Sequence, residues 1–99
     1  MGKREVIIKL RRYKQLVEEH LDVDKVILFG SYATGKQHDD SDIDVAIVVN
    51  SVKSDFFSYA PLLWKLKQKI DSRIEPVLLI NGKDHSGFLK EVISSGIVI

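Results

Sequence analysis

The sequence predicts an α/β (α+β) fold: a small mixed β-sheet of three to four strands with helices packed on it. Short apolar runs at 26–29, 42–49 and 74–80 have the length and pattern of strands. Longer segments at 3–21, 56–70 and 86–95 carry apolar residues at three- and four-residue spacing with charges between them, the pattern of amphipathic helices. Strand and helix patterns alternate along the chain, as an α/β layer requires.

In the first helix, Val6, Ile7, Leu10, Tyr13, Val17 and Leu21 form the apolar stripe, and residues 22–25 turn the chain. Val26 to Phe29 is a continuous apolar run stopped by Gly30, the mark of a strand covered on both faces. Gly30 to Thr34 allows a tight turn and one helical turn before Gly35. Residues 36–41 are polar and read as loop. Along the second strand, Ile43, Val45, Ile47 and Val49 share one face, and Asp42, Asp44, Ala46 and Val48 the other.

The next helix carries Phe56, Tyr59, Leu62, Leu63, Leu66 and Ile70, and Pro61 is tolerated if it lies in the first turn. Phe56, Phe57, Tyr59 and Trp64 read as core or interface, and Lys65, Lys67 and Lys69 as a solvated face. The third strand, 74–80, contains Glu75 and Pro76, and the proline places it at a strand end or sheet edge. Asn81-Gly82 turns the chain into a last helix with Gly96 as its C-terminal cap. Residues 97–99 can add a short strand.

Ninety-nine residues, 44% of them hydrophobic and 29% charged, suit one globular domain spanning 1–99. Fifteen Lys and Arg against fourteen Asp and Glu give a net charge of +1, without the basic excess of a dedicated nucleic-acid binder. The absence of cysteine excludes disulfides and thiolate metal sites. The charged start lacks the pattern of a signal peptide, and no run reaches the ~20 apolar residues of a membrane span. A cytoplasmic protein that does not enter membranes is the expectation.

The chemistry concentrates in residues 26–50, VILFGSYATGKQHDDSDIDVAIVVN. Gly30, Gly35 and Lys36 match the glycines and lysine of a P-loop, but Gln37 stands where that motif needs a Ser or Thr hydroxyl for magnesium. An acidic loop then leads into a strand, not a helix. A calcium loop of the EF-hand type starting at Asp40 fails at Val45, where glycine is required, and at Ser51, where a bidentate glutamate is required. A nucleotidyl-transfer site fits better. Asp42 and Asp44 are two positions apart on a strand and point the same way, about 6.6 Å between Cα atoms. Both can reach one or two magnesium ions, and the Gly30-Ser31 turn offers close backbone approach, amides and a hydroxyl to phosphates. Lys36 and His38 follow on the loop; Lys36 is a further candidate for the phosphates, although a lone loop lysine is commonly just solvated. Asp39 and Asp40 read as loop or capping acids.

Gly30-Ser31, ten intervening residues, then Asp42-Ile43-Asp44 resembles the paired signature of the DNA polymerase β-like nucleotidyltransferase superfamily. The short chain is similar in particular to the minimal nucleotidyltransferases, many of which are encoded beside a HEPN-domain partner as toxin–antitoxin pairs. The resemblance implies a nucleotidyltransferase fold, a two-metal Mg²⁺ site and transfer of a nucleoside monophosphate from an NTP, with ATP the expected one. It also implies a third carboxylate on a neighbouring strand. Glu75 is the candidate, 31 positions after Asp44 (75 − 44), and Asp71 is the competitor, read as a solvated cap. The expected site is therefore Asp42, Asp44 and Glu75 for metal and catalysis, with Gly30, Ser31 and Lys36 for the nucleotide. The acceptor implied is a tyrosine of a HEPN toxin. A non-catalytic binding antitoxin, or a catalytic subunit for a small molecule such as an aminoglycoside, are the alternatives. So short a chain leaves the remaining walls of the site to a partner or to self-association.

Overall fold

The strand Ile43–Val49 is buried at every position except Asp44, as expected of a central strand. The structure, a computed structural model, describes residues 2–38, 41–51, 59–84 and 86–99. Asp39, Asp40, Phe56 and Phe57 lie outside the described residues. In chain order the elements are α1 (Lys3–Glu18), β1 (Val23–Leu28), α2 (Ser31–Thr34), β2 (Ile43–Val49), α3 (Tyr59–Lys67), β3 (Ile74–Ile80), α4 (Phe88–Ser95) and β4 (Ile97–Val98). The four strands form one mixed sheet in the order β3-β2-β1-β4. β1 runs antiparallel to both β2 and β4, and β2 runs parallel to β3 through the crossover that contains α3.

Strand alternation divides the apolar residues between two cores. On one face, Ile43, Val45, Ile47 and Val49 of β2 meet Val6, Leu10, Tyr13 and Val17 of α1 and Leu63 and Leu66 of α3. On the other, Ala46 and Val48 meet Ile27 of β1 and Leu89 and Val92 of α4. Phe29 closes this smaller core, its ring edge-on to Phe88 at 5.7 Å. The α4 layer thus covers the Ala46–Val48 part of its face, and the Asp42–Asp44 end is more exposed.

Two expectations need correction, and a third holds for a different reason. Residues 23–25 are not turn but the start of β1, with Val23 opposite Val49 and Lys25 opposite Val48 across an irregularity. The first helix ends at Glu18, where the N–H groups of His20 and Leu21 both turn back to the Val17 carbonyl; Leu21 is still buried, beyond the helix. Gly96 is the C-cap of α4 as expected, its N–H donating to the Val92 carbonyl at 2.8 Å, though its backbone is extended (φ −89°, ψ 179°) and no left-handed turn requires a glycine there. It is required by space: a Cβ there would run into the Ile27 side chain, and would lie 2.6 Å from the Val92 carbonyl oxygen and 2.9 Å from that of Leu28.

Two buried tyrosines in the larger core differ in one respect. The Tyr13 hydroxyl donates to the Leu63 carbonyl at 3.0 Å and ties α1 to α3, while the Tyr32 hydroxyl has no hydrogen-bond partner among the described residues. A made bond contributes and an unmade one costs. Tyr13→Phe should lower stability by about 1 kcal/mol, roughly 4–8 °C in Tm for a domain of this size. Tyr32→Phe should leave Tm unchanged or raise it. Thermal melts of the two variants side by side check the contrast.

Candidate active site

The site begins with a glycine that nothing else can replace. Gly30 sits at φ 73°, ψ −148°, a region that side-chain-bearing residues essentially do not enter. A Cβ there would also collide with Asp44 Oδ2 and lie 3.1 Å from Asp44 Cγ. Backbone and carboxylate are in direct contact, fixed by the Phe29 N–H donating to the Asp44 carbonyl at 3.0 Å. The Gly30 carbonyl accepts from the Ala33 and Thr34 amides and from Thr34 Oγ1, which closes α2 as a single turn; Gly35, at φ 77°, ends it. The amides of Ser31 and Tyr32, first in that turn, have no acceptor within it.

Asp44 then faces a second acid. In the parallel β2–β3 ladder, Asp44 is the register partner of Glu75, so the two side chains leave the same face side by side. Asp42, exposed, precedes the first residue of β2 and shares that face by strand alternation. Burial, then the charge of Asp42, then that of Glu75 push the Asp44 carboxyl above the usual carboxylate range. Among the described residues no three His, Asp or Glu side chains are drawn into a closed metal-binding cluster. The three acids stand as an open face beside the Gly30 turn.

Of the sequence-predicted residues, Gly30, Ser31, Asp42, Asp44 and Glu75 fall together at this end of the sheet. Lys36 does so only through its backbone, whose N–H donates to the Ser31 carbonyl at 2.9 Å; its side chain is exposed. Asp71 is not a solvated cap. Its carboxylate, 8% exposed, accepts from Lys9 Nζ at 2.9 Å and from three nitrogens of Arg73, and these partners hold it well below the usual carboxylate range. It pins the end of the α3 crossover to α1, away from the other acids.

Lys67 was missed. Its side chain is 1% exposed, with Nζ 3.7 Å from Glu75 Oε1 and 3.7 Å from the centre of the Trp64 ring. The alternation of Lys65, Lys67 and Lys69 suggests one wet face, but at 100° per residue a helix turns Lys67 some 200° from Lys65, onto the side of Leu63 and Leu66. That arithmetic was the available signal. Trp64 itself is 56% exposed, not core.

Comparisons with known proteins identify the family and the fold. The family model described as "Polymerase beta, Nucleotidyltransferase" matches residues 11–99. A Methanocaldococcus jannaschii protein that carries the provisional name of a protein adenylyltransferase is 28% identical over 90 residues, covering 90% of this chain and 88% of its own. The crystal structure of a protein from Sulfolobus solfataricus, provisionally described as a nucleotidyltransferase, superposes with a TM-score of 0.64 at 24% identity, covering 96% of this chain and 82% of that one. A toxin-antitoxin crystal structure with AMP-PNP contains a chain that superposes with a TM-score of 0.61 at 24% identity, over 99% of this chain and 72% of that one. At these identities the two structures bear on the fold alone.

The electrostatics of the acids can be measured. Like charges opposite one another across strands destabilise by a few tenths to about 1 kcal/mol. Asp44→Asn should therefore raise the Tm of the protein without added metal or nucleotide at neutral pH by roughly 2–8 °C. The sign with pH follows. A folded-state pKa above the unfolded one means that the wild type loses stability relative to Asp44→Asn as pH rises through the raised value, and that the gap closes below about pH 4. Melts of both proteins across that range check it.

Proposed function

The chain belongs to the polymerase β nucleotidyltransferase family and is a nucleotidyltransferase; on that premise we propose that it moves AMP from ATP to a hydroxyl of a partner protein in a magnesium-dependent reaction. The observation that carries the reading is the pairing of Asp44 with Glu75 across two parallel strands, directly against the Gly30 turn. A fold gains nothing from that repulsion, whereas a cationic ligand turns it into attraction.

The residues present fit magnesium. It takes oxygen ligands, commonly one or two carboxylates completed by water and substrate phosphates, which matches an open carboxylate face. Asp42 and Asp44 would hold it, with Glu75 available for a second ion. Bound there, it would supply positive charge against the triphosphate.

The chain's own groups supply position. The Ser31 hydroxyl and the unpaired amides of the α2 turn hold the terminal phosphates, and the missing Cβ of Gly30 lets them approach beside Asp44. Lys36, exposed at the exit of that turn, is a further phosphate contact. The acceptor oxygen bonds to the α-phosphorus as the bond to the β-phosphate oxygen breaks. Pyrophosphate leaves, and the hydroxyl proton passes to Glu75 or to water. Holding the reactants in line accounts for most of the acceleration. A toxin is proposed as that partner by analogy with the toxin-antitoxin assembly, one chain of which shares this fold. The family resemblance supports a HEPN toxin with a tyrosine acceptor, silenced by adenylylation.

Labelled ATP, magnesium and the co-purified partner test this. Label should pass to the partner, and chelation of magnesium, Asp42→Asn or Asp44→Asn should each reduce transfer at least 100-fold. Tight partner binding with no transfer by the wild type would mean that the chain blocks its partner sterically. Transfer that needs an aminoglycoside and no protein would reassign the acceptor.

A further inference from the structure

One of the three acids meets a cation that comes from the other side of the sheet. Strand alternation puts Glu75 on the face of Asp44, opposite the face that packs on α1 and α3. β3 is an edge strand, so a side chain from α3 can pass around its free edge. Lys67 does so. Its side chain is 1% exposed, with Nζ 3.7 Å from the centre of the Trp64 ring and 3.7 Å from Glu75 Oε1.

Burial makes this contact unequal. An ammonium held out of water needs a compensating charge, and leaving it without one is costly. Among the described residues no other acid lies within 4 Å of Lys67 Nζ. The Glu75 side chain is 47% exposed, so water would hydrate it if Lys67 were absent. At 3.7 Å the pair is past hydrogen-bonding range, so the ammonium offsets the charge of the carboxylate without fixing its orientation.

We infer that Lys67 is a positioning residue, a built-in counter-ion that withholds Glu75 from metal until the nucleotide arrives. The inference rests on the proposed metal site and orders its loading. Asp42, Asp44, Glu75 and Lys67 together carry three negative charges and one positive, which balances a single divalent cation. Asp42 and Asp44 are left to hold that cation, since Glu75 is the acid that Lys67 offsets. A second cation at Glu75 would stand beside a buried ammonium, an unfavourable pairing of like charges. The triphosphate brings negative charge of its own and removes that obstacle.

Manganese suits the same oxygen ligands as magnesium and can be counted by electron paramagnetic resonance. The full-length wild type should bind one Mn²⁺ per chain without nucleotide and two with AMP-PNP. Lys67→Met keeps an unbranched stem of similar volume and removes the charge. It should bind two Mn²⁺ without nucleotide, with the Kd of the first lowered roughly 3- to 10-fold. Adding Glu75→Gln to Lys67→Met should return the count to one. Magnesium alone should leave the emission of Trp64, the only tryptophan in the chain, unchanged in the wild type, because Lys67 stays over its ring. Two Mn²⁺ on the wild type without nucleotide, or a shift of Trp64 emission by magnesium alone, would overturn the inference and leave the metal site standing. A count of one on Lys67→Met without nucleotide, or on the wild type with AMP-PNP, would also overturn it. No Mn²⁺ on the wild type even with AMP-PNP would remove the metal site itself, and the inference with it.

Discussion

Everything at this end of the molecule depends on one contact, the Gly30 backbone against the Asp44 carboxylate. It needs a residue without a Cβ, in a conformation that only glycine adopts freely. It fixes where β1 stops, starts α2, and sets the first amides of that turn beside an acid. The parallel register of β2 and β3 then brings Glu75 alongside. A turn that donates hydrogen bonds and a strand that presents negative charge are thereby held within reach of one ligand, and a metal–nucleotide complex carries both signs of charge.

The rest of the fold makes that arrangement rigid. Ile43, Val45, Ile47 and Val49 anchor β2 in the larger core and Ala46 and Val48 in the smaller one, so the strand that carries the acids cannot shift register without turning both cores inside out. Asp71, Lys9 and Arg73 lock the far end of the α3 crossover onto α1, and the Arg73 carbonyl accepts from the Ile43 amide at 2.9 Å just before the Asp44–Glu75 pair. Charge is therefore sorted. One set of acids is satisfied by basic partners and holds the structure. The other faces its own kind, and among the described residues Glu75 has the cation Lys67 within 4 Å.

Much of this was legible in the sequence, because period-two and period-3.6 patterns are local. The three longer strands, the order of the helices, the two faces of β2 and the pairing of Gly30-Ser31 with Asp42 and Asp44 all follow from spacing. Glu75 required non-local knowledge: the family resemblance supplied a third carboxylate on a neighbouring strand, and the parallel register that sets it beside Asp44 comes from the structure. Residues 23–25 were misread because the charged Asp24 and Lys25 hide a strand whose first residues lie near the solvent. Asp71 looks like a turn cap because Arg73, two positions on, supplies three of its bonds, whereas the Lys9 partner that buries it lies 62 positions away. Lys67 was misread for a different reason: lysine argues for solvent, and its burial depends on where the Trp64 ring and Glu75 fall in space.

The central claim is that the Asp42–Asp44–Glu75 face is destabilising by itself and becomes stabilising once a magnesium–nucleotide complex is bound. Its most direct measurement is the order of melting temperatures of the wild type and Asp44→Asn, with and without magnesium and AMP-PNP. Ligand that binds the folded state stabilises it with the logarithm of its excess over Kd, on the order of 2.7 kcal/mol at a hundredfold excess. The account predicts that the order reverses, with the variant melting higher alone and the wild type melting higher with both ligands present. An unchanged order, with the two proteins gaining equally from the ligands, would contradict it.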